Sequence, residues 1–259
     1  MPSRSSYAEG TPCWVDLQTT DADAAKAFYG ALFGWEFDDQ PIPGDGVYSM
    51  ALKNGEQVAA LSRPSQVMAD QDTPPLWNTY IAVNDADATA ERAAAAGGRT
   101  LVEPFDVMAA GRMAWVADPS GAAVGLWQAG EHIGATLVNE PGALIWNELV
   151  SGDLTAALAF YEALLGITAQ DSPLGDTPYT TLYVADAMVG GATAPRMDGT
   201  PNHWHVWFAV ADADEAAANA TSAGGEAVLD PFDLPIGRFA ALADPQGATF
   251  SVIAMNPQQ

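Results

Sequence analysis

Apolar and polar residues alternate from Cys13 to Gln18. Cys13, Val15 and Leu17 fall on one side and Trp14, Asp16 and Gln18 on the other, which is the two-residue period of a half-buried strand. The period then changes. Thr20 and Asp21 offer side-chain oxygens to free helix amides, Ala24, Ala25, Phe28 and Leu32 follow helical spacing, and Gly34 supplies a left-handed end. A Pro/Gly-rich loop from Pro41 to Gly46, a strand VYSMAL, a turn at Asn54-Gly55 and a strand QVAALS complete a β-α-β-β-β unit. A second unit starts at Trp77, with Trp77, Thr79, Ile81 and Val83 on one face and Asn78 and Tyr80 on the other. Its helix is capped by Asp85 and ended by Gly97-Gly98. It closes with GRMAWVADPSGAAVGLW, where Asp118-Pro119-Ser120-Gly121 has the residues a type I turn prefers at the tip of a hairpin.

The same order then returns. Trp14/Trp146, Asp16/Glu148, Leu17/Leu149, Asp21/Asp153, Phe28-Tyr29/Phe160-Tyr161, Leu32/Leu164 and Gly34/Gly166 share one offset of 132 residues. Asp118-Pro119-Ser120-Gly121 recurs as Asp244-Pro245-Gln246-Gly247. Asp21 and Gly34 also map onto Asp85 and Gly98 at an offset of 64, so each half is itself a faint duplication. The expected organisation is a loose arm over 1–10, a domain over 11–128, a linker over 129–143 and a second domain over 144–255.

Charge narrows the partners. Acidic residues outnumber basic ones 33 to 9, so no basic stripe exists to neutralise phosphates and nucleic acid is a poor partner. A net charge of −24 attracts cations and also serves solubility. No apolar run approaches the roughly 18 residues of a membrane span, and the first residues lack the apolar stretch of a signal peptide, so the expected location is the cytoplasm. Cys13, the single cysteine, allows no internal disulfide and reads as a buried structural thiol.

Four β-α-β-β-β units carrying D…FY..L.G and DP.G signals resemble the vicinal oxygen chelate superfamily, which includes glyoxalase I, extradiol dioxygenases and the bleomycin and fosfomycin resistance proteins. More narrowly, GTPCWVDLQTTDADAAKAFYGALFGW, PLWNTYIAVND, DPSGAAVGLWQ and PNHWHVWFAV resemble a two-domain actinobacterial subfamily that contains a mycobacterial culture-filtrate antigen. The resemblance implies an α+β fold of tandem domains, each two β-α-β-β-β units forming a cupped mixed sheet with helices outside. It also implies metal-ligand places at Trp14, near Ala60 to Ser62, at Asn78 and at Gly125, and at Trp146, near Gly191 to Thr193, at His205 and at Ser251. Those residues offer one imidazole where a divalent site needs three or more strong donors, so the expectation is no metal and no cofactor.

Alternation places Trp14, Asp16, Asn78, Tyr80 and Trp127 on the inner face of the first cup, and Trp146, Glu148, His205, Trp207 and Ser251 on that of the second. Aromatic walls with a few polar groups suit a small organic ligand, and Asp16 and Glu148 recur at equivalent places where an unpaired buried carboxylate is costly. The expected ligand is aromatic or cationic and stacks on Trp14 or Trp127. Asp16, Glu148 and His205 are the candidates for proton transfer if the scaffold carries a glyoxalase-, isomerase- or hydroxylase-like reaction. His132 and His203 carry no signal. Arg112 and Arg238 read as structural partners of carboxylates. Two domains paired within one chain are compatible with a monomer.

Overall fold

The computed structural model describes residues 3–42, 46–63, 73–174 and 177–256. Its first half runs β1 (Pro12–Gln18), α1 (Ala22–Phe33), β2 (Glu36–Ile42), β3 (Gly46–Lys53), β4 (Glu56–Ser62), β5 (Leu76–Ala82), α2 (Ala86–Ala93), β6 (Arg99–Val107), β7 (Gly111–Ala117) and β8 (Ala123–Ala129). The second runs β9 (Leu144–Val150), α3 (Leu154–Leu165), β10 (Thr168–Asp171), β11 (Thr180–Val184), β12 (Ala187–Thr193), β13 (His203–Ala209), α4 (Ala213–Ser222), β14 (Glu226–Leu234), β15 (Gly237–Ala243) and β16 (Thr249–Met255).

Each half folds into one eight-stranded mixed sheet, in the orders β2-β3-β4-β1-β5-β8-β7-β6 and β10-β11-β12-β9-β13-β16-β15-β14. The central strands β1 and β5, or β9 and β13, are antiparallel, while each pairs in parallel with the last strand of its own unit. No described helix is long and apolar enough to cross a membrane.

Helix starts follow the caps. Asp21, Asp85, Asp153 and Asp212 each accept the amide three residues on at 2.9–3.0 Å, a contact worth about 1 kcal/mol apiece. Gly34 and Gly166 end α1 and α3 in the left-handed region, at φ 69° and 67°. Two expectations shift. Helix α2 stops at Ala93 and reaches Gly97 through a turn, and β2 continues through Pro41, tolerated because β2 is an edge strand.

The helices lie outside the cups, as expected, and this puts them inside the molecule, between the two sheets. One core joins Val15, Leu17, Phe28, Tyr29 and Phe33 of the first unit to Phe208, Ala217, Leu242 and Phe250 of the last. The other joins Ile81, Ala90, Val124 and Leu126 of the second unit to Leu149, Phe160, Tyr161 and Leu164 of the third. The FY pair of each half therefore packs into the opposite half. The Tyr29 hydroxyl accepts from Trp77 Nε1 at 3.0 Å and donates to Asp244 Oδ2 at 3.1 Å. Tyr161 accepts from Trp204 Nε1 at 2.8 Å and faces Asp118.

The same aspartates shape the DP.G turns. Asp118 Oδ1 accepts from the Ser120 and Ala122 amides, and Asp244 Oδ1 from those of Gln246 and Ala248. A Cβ on Gly98 would lie 2.4 Å from the Phe160 ring and one on Gly225 would lie 2.8 Å from the Phe28 ring, so both positions need glycine for close approach. Arg112 ties α2 to β6 through Asp87, Asp106 and the Pro104 carbonyl, and Arg238 does the same for α4 and β14 through Asp214, Asp233 and the Pro231 carbonyl.

Tyr161→Phe keeps the buried ring but leaves the Trp204 indole without an acceptor. It is expected to lower the unfolding free energy by about 1–3 kcal/mol in urea titrations, with the halves still unfolding together.

Candidate functional site

The register defines the floor of each cup. In the first, Asp16 lies between Ala60 of β4 and Asn78 of β5, and the next row holds Trp14, Tyr80 and Gly125. In the second, Glu148 lies between Gly191 of β12 and His205 of β13, and the next row holds Trp146, Trp207 and Ser251. The carboxylates thus share a row with Asn78 and His205, one step along from the Trp14 and Trp146 ligand places implied by the resemblance. Cys13 also departs from the alternation. A bulge between Pro12 and Trp14 moves it out of the helix-side core, so it packs beside Trp14 and its thiol donates to the Tyr80 carbonyl at 3.5 Å.

The floor of the first cup is hydrogen-bonded within itself, although Nε2 of His132 above it is buried with no partner among the described residues. Asp16, 3% exposed, accepts from Asn78 Nδ2 at 2.8 Å, the Tyr80 hydroxyl at 2.8 Å and the Tyr48 hydroxyl at 3.1 Å. Tyr48 in turn accepts from Trp14 Nε1 at 2.8 Å, so its own proton points to the carboxylate. Burial pushes the Asp16 pKa up while the three donors pull it down. Burial, with Asp16 alongside, pushes both tyrosine hydroxyls up.

Where Trp14 and Trp127 would clasp a ligand, the structure places His132. Its ring meets them edge-on, with centroids 4.5 and 5.7 Å away. The backbone holds it there: the His132 amide donates to the Ala110 carbonyl, its own carbonyl accepts from Trp127 Nε1 at 2.9 Å, and Ala135 donates to the Cys13 carbonyl. His132 Nδ1 lies 3.0 Å from Gln57 Oε1, and the Tyr7 hydroxyl adds a bond to the Ala135 carbonyl. Burial lowers the His132 pKa to about 4, so the ring is neutral.

The second cup keeps the framework, and among the described residues none takes the place of His132 there; the counterpart of the strap by register, residues 257–259, lies outside the described residues. Trp146 Nε1 donates to the Tyr179 hydroxyl at 2.8 Å, matching Trp14 and Tyr48, and Tyr179 is within reach of Glu148. A Cβ on Gly191 would lie 1.9 Å from the Tyr179 oxygen, so only glycine leaves this seat for the phenol. His205 turns to Ser251, with Nε2 and Oγ 2.9 Å apart, and burial and His203 lower its pKa. Among the described residues Glu148 has the one phenol where Asp16 has three donors. Burial raises its pKa to about 7 against the pull of Arg196 and Tyr179. Trp207 stacks on Phe239 at 4.9 Å, and Trp146 and Phe232 remain partly exposed beside them.

The ten residues expected on the inner faces therefore lie there, five to each cup. Sequence reasoning missed Tyr48, Tyr179 and His132. The two tyrosines sit 34 and 33 residues after Trp14 and Trp146, a recurrence that aligning the halves across one loop deletion exposes. Two equivalent hollows of about 430 Å³ lie on the outer surface, along α4 and β14 and along α2 and β6, away from the cups.

The Glyoxalase/Bleomycin resistance protein/Dioxygenase superfamily matches residues 12–126 and 143–252. The chain belongs to this superfamily. It is 56% identical over 262 residues to a Mycobacterium tuberculosis protein named "Putative glyoxylase CFP32", covering all of both chains. It is 38% identical to the anthracycline biosynthesis protein DnrV of Streptomyces peucetius, covering 96% of this chain and 94% of that one. Among solved structures, the Mn(II)-bound glyoxalase from Novosphingobium aromaticivorans aligns with a TM-score of 0.64 at 18% identity, over 96% of this chain and 83% of that one. The 2,3-dioxygenase LapB from Pseudomonas sp. KL28 gives 0.64 at 15% identity, over 94% and 91%. At such identities the likeness is one of fold.

A superfamily with a manganese-bound member raises the question of a metal centre here. Among the described residues no three His, Cys, Asp or Glu side chains come together. The central rows offer a carboxylate held by Asn and Tyr donors in one cup, and a carboxylate and an imidazole beside a glycine in the other. That donor set does not fit a divalent transition metal.

Two stability tests follow from the carboxyls. Folded Glu148 holds its proton up to about pH 7 against an ordinary value of 4.5, so stability falls as pH rises through that window. Glu148→Gln is therefore expected to exceed wild type by about 1–3 kcal/mol at pH 8 and to lose that advantage below pH 4.5, in parallel urea titrations. Asp16→Asn turns an amide donor toward donors and is expected to cost about 2–4 kcal/mol at neutral pH.

Proposed function

We propose that the chain is a cytoplasmic, metal-independent binding protein for a small aromatic metabolite, which it takes in the second cup. The observation that carries this reading is the difference between two otherwise matched floors. Asp16 is met by three donors and His132 sits between the indoles of its cup, whereas among the described residues Glu148 is met by one phenol, in a cup whose Trp146 and Phe232 rings remain partly exposed. Aromatic walls give affinity without charge, and a few fixed polar groups give orientation. A net charge of −24 favours a neutral or cationic ligand. The name of the Streptomyces relative, an anthracycline biosynthesis protein, supports an aromatic compound as the ligand class.

A second reading has one observation in its favour. A carboxyl that titrates at about 7 is matched to proton exchange at neutral pH, so Glu148 is the group to move a proton if the bound compound is also converted. His205, lowered by burial, is poorly matched to that task and serves better as a neutral partner of Ser251.

Calorimetry and tryptophan fluorescence with neutral and cationic planar compounds are expected to show one site per chain. Glu148→Gln should weaken binding about five- to tenfold, and Trp127→Phe should leave it unchanged. Two equal sites would place the function in both cups, and a site lost in Trp127→Phe would move it to the first; either result overturns the assignment to the second cup alone. Conversion of a bound compound that slows 10² to 10⁴-fold in Glu148→Gln at nearly constant affinity would establish the second reading.

A further inference from the structure

Of the eight tryptophans, six donate their indole N–H within the protein, Trp115 is only partly buried, and Trp207 is the one whose indole nitrogen is buried without a partner among the described residues. Trp14, Trp35, Trp77, Trp127, Trp146 and Trp204 each donate their N–H to an oxygen at 2.7–3.0 Å. Trp207, 7% exposed, buries its Nε1 with no acceptor among the described residues. An indole N–H can only donate, and a buried donor left alone is rare in native proteins. The ring cannot easily turn away, because it lies against Phe239 on one side and presents its edge to His205 on the other, with centroids 4.9 and 6.3 Å away.

Its neighbours do not satisfy it. Ser251, paired with Trp207 in the register, has its hydroxyl engaged by His205 Nε2. The equivalent residue of the first cup is Tyr80, whose hydroxyl finishes on Asp16 at 2.8 Å. The polar group at this position is thus satisfied within the protein in one cup and left over in the other.

Resting on the reading of the second cup as the ligand site, we propose that Trp207 Nε1 donates a hydrogen bond to a carbonyl oxygen of the bound molecule, so that the cup selects planar aromatic ketones over their deoxygenated counterparts. A neutral carbonyl answers the donor without burying a second charge beside Glu148, whose own charged form burial already disfavours. Phe232 and Trp146, partly exposed, offer the attached ring apolar and stacking surface. Aromatic carboxylates present the same kind of acceptor but are opposed by the acidic field of the chain.

A matched pair of probes tests this, 1-acetylnaphthalene against 1-ethylnaphthalene, titrated into the full chain at pH 7. The wild type is expected to bind the ketone about five- to tenfold more tightly, and Trp207→Phe to bind both alike. Equal binding by the wild type, or a ketone preference that survives in Trp207→Phe, would overturn the role of Trp207 and leave the second cup as the ligand site. Binding of neither probe would overturn both. Should Trp207→Phe fail to fold, the assigned Trp207 indole N–H resonance of the wild type decides: a downfield shift with the ketone and none with the hydrocarbon supports the bond, and no difference refutes it.

Discussion

Everything in this molecule rests on a reciprocal insertion of aromatic rings. Phe28 and Tyr29 of the first half enter a seat formed by Gly225 and the Asp244 turn of the second, and Phe160 and Tyr161 enter the seat formed by Gly98 and Asp118 of the first. A phenol in such a place needs an acceptor for its proton and a donor for its lone pair, and the aspartates and the Trp77 and Trp204 indoles meet those needs. Apolar area does most of the stabilising and the polar links fix the geometry. With the helical faces committed to each other, the concave faces point outward, where chemistry can be built.

The cups show how little is needed to change what a concave sheet does. Both carry Trp, Tyr and a carboxyl in the same rows, joined by the same indole-to-phenol bond. In the first, Asn78 and Tyr80 complete the ring of donors and a strap from β8 brings His132 between two indoles. In the second, His205 and Trp207 stand at those positions, the imidazole is drawn to Ser251, and Glu148 stays protonated until about pH 7. Substitutions at two register positions separate a floor whose carboxylate, amide and phenols answer one another from one that leaves the Trp207 indole N–H without a partner among the described residues.

The sequence was informative where physical constraints are local. The aspartate caps, Gly34 and Gly166, the DP.G turns and the alternation of β1, β5, β9 and β13 can all be read without a partner in view, and together they yield the tandem cupped-sheet fold. Edge strands were harder. β10 is exposed along its whole length and β2 nearly so, leaving no apolar face to mark them. The inner faces were legible as a set of residues, but their state depends on contacts distant in sequence, such as Tyr48 with Asp16 or His132 with Trp14, which no period encodes. Cys13 slipped by a single bulge, and residues 129–143 read as a connector while also filling the first cup.

The strap over the first cup begins at the end of β8, so it belongs to the covalent joint between the halves. Two identical chains associating through the same insertion of rings would be bound by symmetry to present the same concavity twice, and any residue that sealed one would seal the other. Joining the halves in one polypeptide lifts that obligation. One copy can harden into a scaffold, free of any duty to admit a guest, while its twin drifts toward a new ligand without forfeiting the rigidity they share.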